Sequence, residues 1–464
     1  MKKGNRKKVR RQGKSKSKRF SARASLIAIG QFARQLKLFD VIKQKVVIVQ
    51  KTVKYTPIEK LTDAFISILA GAKGLVEINK LIRPDKMLSL AFGRTSCAEQ
   101  STISETFNAV TQENVNGMHD SLRQIYQRHS HGYRHDYEQK FQILDVDLSG
   151  MPCGKKAELA SKGYFANQKN KRGRQIGRVI ATRYGEVVTS ALYPGQNQLN
   201  KALQPLVLAA EGVLSLDEEK RQKILIRTDA GGGSDADINF VLNRGYHILT
   251  KAYSAKRAEK VCQSVKTWYA DPKVLGREVG WVTEPHPYVK PTSQIGVRSK
   301  RKNGTYSYHL LVTSLDAEHL AALFYLPKIY HHLPFPILWL AIESYDLRGG
   351  GIETEFKADK QGLGLTSRNK KKFEAQQMLV LLTDLAHNLI VWVNDALAQK
   401  RKRFFQLGIF RMVRDVFTIS GKVIQDAKGN IIELILNESD PFAYDFQQGI
   451  QPFLNGITVN LGKI

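Results

Sequence analysis

The sequence predicts an α/β protein whose core carries a β-rich insertion and is preceded by a helical region. Three observations lead there. Between residue 24 and about residue 128 the apolar side chains recur at helical spacing. From Phe141 they fall into short β-like runs with a helical stretch between them, the alternation expected of an α/β domain. After Ile352 helical spacing returns. At 464 residues and 42% hydrophobic, the chain has ample material for folded cores. These textures divide it into a basic disordered tail (1–23), a helical region (24–135), an α/β core in two pieces (136–255 and 329–415), the β-rich insertion (256–328) and a C-terminal β-hairpin region (416–464).

Residues 1–19 hold eleven Lys/Arg and no acid. Such a run stays solvated and suits phosphate neutralisation. In the helical region Ile27, Phe32, Leu36, Leu38, Phe39 and Ile42 keep helical spacing, as do Leu61, Phe65, Ile68 and Leu69. The stretch Leu88 to Phe107 resembles a helix-turn-helix, with Gly93 in the turn and Ala98–Val110 as the recognition helix. Gln100, Ser101 and Ser104 would then face base edges while Ile103 and Phe107 pack inward. An ordinary helical hairpin fits the same pattern. Strands are expected at Phe141–Leu148, Gly177–Thr182, Glu186–Leu192, Lys223–Thr228 and Tyr246–Thr250, with a helix at Gln198–Leu214. The insertion should contribute strands at Val279–Thr283, Thr305–Val312 and Phe324–Pro327. Helix follows from Ile352 to about Ala398, broken near Gly362–Gly364, and a hairpin turns at Lys428–Asn430.

The net charge is +30; without the eleven tail cations it is still +19. A surface this basic calls for a polyanionic partner, nucleic acid before all. The clusters Lys155–Lys156, Lys169–Arg178, Arg298–Lys302, Lys370–Lys372 and Lys400–Arg403 are candidates for backbone contact. A membrane partner is not expected. Pro334–Ile342 is far shorter than the ~20 residues a span needs, and Asp384, His387 and Asn388 interrupt Met378–Val393, which reads as a buried core helix. Cys97, Cys153 and Cys262 stand far apart, which argues against a disulfide framework or zinc ribbon and suits a reducing cytoplasm. The basic start lacks the apolar stretch of a secretory signal. His129, His131 and His135 lack partners at zinc-site spacing.

Three acidic sites stand out. In Ile143-Leu-Asp-Val-Asp-Leu-Ser149, Asp145 and Asp147 share one face of a strand whose other face is apolar. In Lys223-Ile-Leu-Ile-Arg-Thr-Asp-Ala-Gly-Gly-Gly, Asp229 ends an apolar strand, where α/β sheets bind ligands, and the glycines permit close backbone approach. In Tyr345 to Lys360, a helix from Ile352 would place Glu353, Lys357 and Lys360 on one face and Ile352 and Phe356 on an adjacent one. Carboxylates converging from separate elements suit Mg²⁺ or Mn²⁺. A pair of such ions about 4 Å apart serves phosphodiester chemistry. Bland readings exist for each: an edge strand, a turn, a solvated Glu–Lys face.

The pattern Asp-x-Asp-Leu-Ser, then Arg-Thr-Asp-x-Gly, then Tyr-x2-Arg followed by Ile-Glu-x6-Lys resembles the insertion-sequence transposases of the DDE class. It is similar in particular to the bacterial branch with a YREK signature. The resemblance covers roughly residues 140–400. The 124 positions from Asp229 to Glu353 suit a β-rich insertion before the Glu. It implies a ribonuclease-H-like catalytic core, with Asp147, Asp229 and Glu353 as catalytic metal ligands for Mg²⁺ or Mn²⁺, two ions in all. Tyr345, Arg348 and Lys360 would contact DNA phosphates, as Gln100 and Ser101 of the helical region would contact bases. Four residues separate Arg348 from Glu353 where the signature has three, so Glu355 competes with Glu353, and Asp145 with Asp147.

The implied reaction is metal-dependent cleavage at transposon ends followed by strand transfer into target DNA. Partners would be double-stranded DNA, namely terminal inverted repeats and target, with a homodimer joining two ends, in the cytoplasm at the bacterial nucleoid. Members of this branch often form a DNA hairpin with a flipped base, for which Trp268 or Trp281 would be the stacking surface. The alternatives are another metal-dependent nuclease or resolvase on the same fold, or a non-catalytic DNA-binding protein derived from a transposase.

Overall fold

The computed structural model describes residues 17–51, 54–165 and 170–464. Most of the expected tail, residues 1–16, and Lys169 lie outside them. The strands, in chain order, are β1 (Ser17–Ser21), β2 (Gln142–Pro152), β3 (Ser161–Lys162), β4 (Arg172–Ala181), β5 (Glu186–Pro194), β6 (Ile224–Thr228), β7 (His247–Lys251), β8 (Tyr269–Ala270), β9 (Arg277–Trp281), β10 (Ser293–Lys300), β11 (Tyr306–Thr313), β12 (Gly421–Gln425), β13 (Ile431–Asn437) and β14 (Thr458–Gly462). Among the described residues ten of them form one sheet and four another.

The centre of the large sheet runs β5-β4-β2-β6-β7. β4 lies between β2 and β5 and runs antiparallel to both, whereas β6 and β7 run parallel to β2. Parallel neighbours need a crossover, and the helices Leu199–Leu214 and Asp235–Asn243 supply the two required. Three antiparallel strands followed by two helix-linked parallel ones constitute a ribonuclease-H-like fold.

Alternation along the strands decides what each face meets. Leu144, Val146 and Ile226 pack with Leu203, Leu206 and Val207 of the crossover helix. Leu225 and Leu249 face the other way, toward Leu338 and Trp339 of the helix Pro336–Asp346. On that same side Ile176 and Ile180 of β4 meet Ile352, Phe356 and Val380.

The insertion continues this sheet. β11 pairs with β7, β10 with β11, and β9 with β10. Phe324–Pro327, expected as a strand, is irregular: Phe324 closes the helix Ala317–Leu323 and Pro327 starts a 3₁₀ turn. Proline cannot donate to a ladder.

The helical region spans seven α-helices from Ala24 to His129 among the described residues. Thr56 and Thr111 start two of them with reciprocal capping boxes to Glu59 and Asn114. These helices share one apolar core with the helix Phe373–Lys400 and the small sheet β1-β12-β13-β14. β1 corrects part of the tail expectation: residues 17–21 pair with β12. No helix among the described residues is long and apolar enough to cross a membrane.

Candidate functional site

β2 and β6 place Asp145 opposite Arg227 and Val146 opposite Thr228. One step further along the same face, Asp147 meets Asp229, just past the end of β6. The first rung is an ion pair: Arg227 Nε and Nη2 donate to Asp145 Oδ1 and Oδ2 at 2.6 and 2.8 Å, and Nη1 donates to the Ser344 carbonyl at 2.7 Å. Asp145 is wholly buried. Gly351 is needed above it, because a Cβ there would lie 2.7 Å from Asp145 Oδ2.

The second rung is two carboxylates. Burial first, and the Asp229 charge second, push the Asp147 carboxyl up to about 7 against the pull of Arg348. Asp147 keeps a side-chain exposure of 13%. Asp229 Oδ1 accepts from Gly231 N at 2.8 Å, and its carbonyl accepts from Thr250 Oγ1 at 2.9 Å. The glycine run beside it has an internal cause too. At Gly233 a Cβ would fall 1.8 Å from the Lys251 carbonyl oxygen.

Glu353 arrives from the helix Ile352–Ala358. Arg348 bridges it to the strand, donating from Nη1 to Asp147 Oδ2 at 3.1 Å and from Nη2 to Glu353 Oε1 at 2.5 Å. The extra residue in Gly349–Gly351 therefore leaves Arg348 within reach of Glu353. Glu355, two residues on, looks elsewhere. Its Oε2 lies 3.9 Å from His387 Nε2, and it opens into a separate cavity of about 650 Å³ with Ile143, Thr182 and Arg227.

Tyr345 stands over the acids, with Lys251 Nζ 4.6 Å and the Arg348 guanidinium 5.9 Å from its ring centroid. Burial pushes its hydroxyl up to about 12. Lys360 Nζ donates to Ser149 Oγ at 2.6 Å, two residues beyond Asp147 on β2. Asp147, Ser149, Asp229, Tyr253 and Lys360 line a common cleft of about 610 Å³. With side chains as they stand, no three His, Cys, Asp or Glu among the described residues converge on one ion position; Arg348 occupies the link between Asp147 and Glu353. The donor set is all carboxylate oxygen, which fits a hard divalent cation, and the strained Asp147–Asp229 pair is one that such a cation would relieve.

Gln100 and Ser101 are not brought to these acids. They begin the helix Gln100–Asn108 in the helical region, where Gln100 N donates to Asn79 Oδ1 at 3.2 Å and Ser101 is exposed. Ser104, expected to face a base, instead accepts from Lys370 Nζ at 2.5 Å. Lys370 is thereby taken from the expected DNA-contacting clusters, as are Arg174 and Arg178, both fully buried. Arg174 binds the Glu158, Lys370 and Lys371 carbonyls. Trp281 packs partly buried beside the core of the insertion, and the Arg298 guanidinium covers Trp268 at 4.4 Å.

Sequence reasoning missed Arg227, Lys251 and the buried group Arg178, Asp359 and His387. Arg227 had a signal. It is the one cation of the apolar strand Ile224–Thr228 and has the parity of Asp229.

Residues 1–451 match the family described as transposase DDE domain group 1. A comparison with curated proteins gives no match. Among solved structures, the chain is similar to a piggyBac transposase in a synaptic complex with hairpin DNA, at 14% identity and a TM-score of 0.42, over 83% of this chain and 80% of that one.

Proposed function

The chain belongs to the DDE transposase family, and from that premise we propose that it cleaves DNA at the ends of a mobile element and joins the freed ends to target DNA. The carrying observation is the carboxylate rung Asp147–Asp229 just past the end of the parallel β2–β6 pairing, with Glu353 tied to it through Arg348. Asp147, Asp229 and Glu353 are the residues that would hold Mg²⁺ or Mn²⁺, two ions in all. When bound, the metal supplies an activated oxygen nucleophile and charge stabilisation at phosphorus.

The chain's own residues do the remainder. Arg348 is held by burial and carboxylates beside the acids and presents a fixed cation to a scissile phosphate. Lys360 adds a second cation from the far side of Asp147. Tyr345 walls the site and keeps the Arg348 fork in place. Asp145 and Glu355 are the competitors left out, the first neutralised by Arg227 and the second turned toward His387. Gln100, half-buried, and Ser101, exposed, at the start of their helix, are proposed to read the terminal repeats. A homodimer would bring two ends together, and the bacterial YREK branch fits the order Tyr345, Arg348, Glu353, Lys360.

The test is incubation with Mg²⁺ and a duplex carrying the terminal inverted repeats, read as end cleavage and strand transfer on a gel. Native protein should do both. Asp229→Asn protein should bind the duplex and do neither; normal cutting by that variant would remove the site assignment.

A further inference from the structure

The helix Ile352–Ala358 runs on directly into a π-helical turn, Asp359–Leu363, and the combined segment is still short enough to be marginal by itself. Ile352 and Phe356 seat it on Ile176, Ile180 and Val380. Apolar contacts are non-directional, so they set depth better than reach. The directional contact comes where the α-helix passes into the π-helical turn. Asp359, the next residue, is fully buried and has both oxygens engaged. Oδ2 accepts from Arg178 Nη1 at 2.6 Å and Oδ1 accepts from His387 Nδ1 at 2.8 Å. His387 Nε2 donates to the Gly185 carbonyl at 2.8 Å. Both ring nitrogens therefore donate, and the ring is an imidazolium. Arg178 reaches on to Asp384 Oδ1 at 2.6 Å and Ser190 Oγ at 3.1 Å, and its guanidinium lies 4.8 Å from the Phe356 centroid.

The location matters as much as the bonds. Arg178 pairs with Asp147 across β4 and β2. Asp359 sits in sequence between Glu353 and Lys360, and immediately precedes the latter. We propose that Asp359, gripped by Arg178 and His387, is a positioning residue that sets how far Glu353 and Lys360 reach toward the Asp147–Asp229 pair. This rests on Glu353 being the third acid. Apolar side chains of similar volume would fill such a space at no loss of stability; a doubly bonded carboxylate fixes one geometry. Asp384 is the built-in contrast. It is a second buried acid on the same Arg178, which it meets through Oδ1, but it belongs to the helix Phe373–Lys400 and not to the segment that carries Glu353 and Lys360.

The experiment compares Asp359→Asn, Asp384→Asn and Glu353→Gln in the full chain. Single-turnover cleavage of the terminal-repeat duplex is measured with DNA affinity, melting temperature and Mn²⁺ binding by electron paramagnetic resonance. All assays are run below the lowest melting temperature. A misplacement near 1 Å costs about 10²-fold. Asp359→Asn should therefore cut about 10²-fold more slowly at unchanged DNA affinity and bind Mn²⁺ more weakly, while Asp384→Asn cuts and binds Mn²⁺ close to the native level. Equal losses in both variants, or a native rate for Asp359→Asn while Glu353→Gln is inactive, overturn the positioning role. A native rate for Glu353→Gln overturns the reading of the third acid and this inference with it. Should Asp359→Asn not fold, His387→Gln, which leaves the Arg178 contact in place, carries the same test. A reduced rate at unchanged DNA affinity supports the role and a native rate overturns it.

Discussion

Asp145 and Asp147 lie two residues apart on one strand, share a face and look toward the same neighbour, yet they stand in opposite surroundings. Asp145 meets Arg227 and forms a bidentate pair sealed from water. Asp147 meets Asp229, and burial with that second charge pushes its carboxyl up to about 7. A third step along the strand brings Ser149 against Lys360. The partner presented by the adjacent element decides the role. The acid that faces a cation holds the strands together, and the one that faces a second acid is the one proposed to take a metal ion.

That contrast can be broken in four places. The largest effect is expected at the open rung. Asp229→Asn should reduce end cleavage by at least about 10³-fold in a Mg²⁺ assay, since an electrostatic stabiliser alone is worth ~10²–10³ and here metal affinity falls as well. Its melting curve should be no worse than that of the native protein.

The closed rung should behave in reverse. Asp145→Ala strands a buried guanidinium and should cost about 3–5 kcal/mol in a denaturant titration. The double change Asp145→Leu, Arg227→Met should recover most of that loss, because neither charge remains. A single variant as stable as native would mean that the rung is not holding the sheet.

Next comes the pH dependence of Asp147. Its carboxyl is pushed up to about 7 by burial and Asp229 in the folded state, against an ordinary value of 3.8 in the unfolded chain, so the folded state binds the proton more tightly. Its contribution is complete below about pH 4 and is lost as pH rises to 7. Without divalent metal, Asp147→Asn should be more stable than native by on the order of 2–4 kcal/mol at pH 8 and equal to it near pH 3. A difference that does not change with pH would contradict the assigned environment.

Lys360→Met should have the smallest effect. About tenfold in cleavage rate is expected, the scale of one charge-assisted hydrogen bond. The slope of log affinity against log salt should fall by about 0.9.

The same contrast explains what was legible from sequence. Period-two alternation showed that Asp145 and Asp147 share a face. It could not show what faces them, because strand register is set by long-range pairing of β2 with a segment some eighty residues away. The resemblance tipped the choice to Asp147, and the proposal for that residue rests on the different neighbours the register gives the two acids, Arg227 for Asp145 and Asp229 for Asp147. At Glu353 and Glu355 the helical period separated two directions without saying which led to the strands. The core strands and the long buried helix followed from pattern alone. β1 and the fusion of the helical region with the C-terminal sheet did not, since both depend on contacts across nearly the whole chain. The clusters around Arg174, Arg178 and Lys370 were misread for a related reason: a cation in a sequence looks the same whether water, phosphate or a carbonyl awaits it.

β11 is hydrogen-bonded to β7, whose last residue Lys251 stands over Tyr345. The insertion is therefore not a detachable cassette. Replacing 256–328 with a short linker would strip β7 of a neighbour and expose a bare strand margin beside the acids, an invitation to association. Grafting it onto another scaffold would need a matching sheet edge at the receiving end. A displacement of the outer strands would be passed toward the acids along the ladder β9-β10-β11-β7.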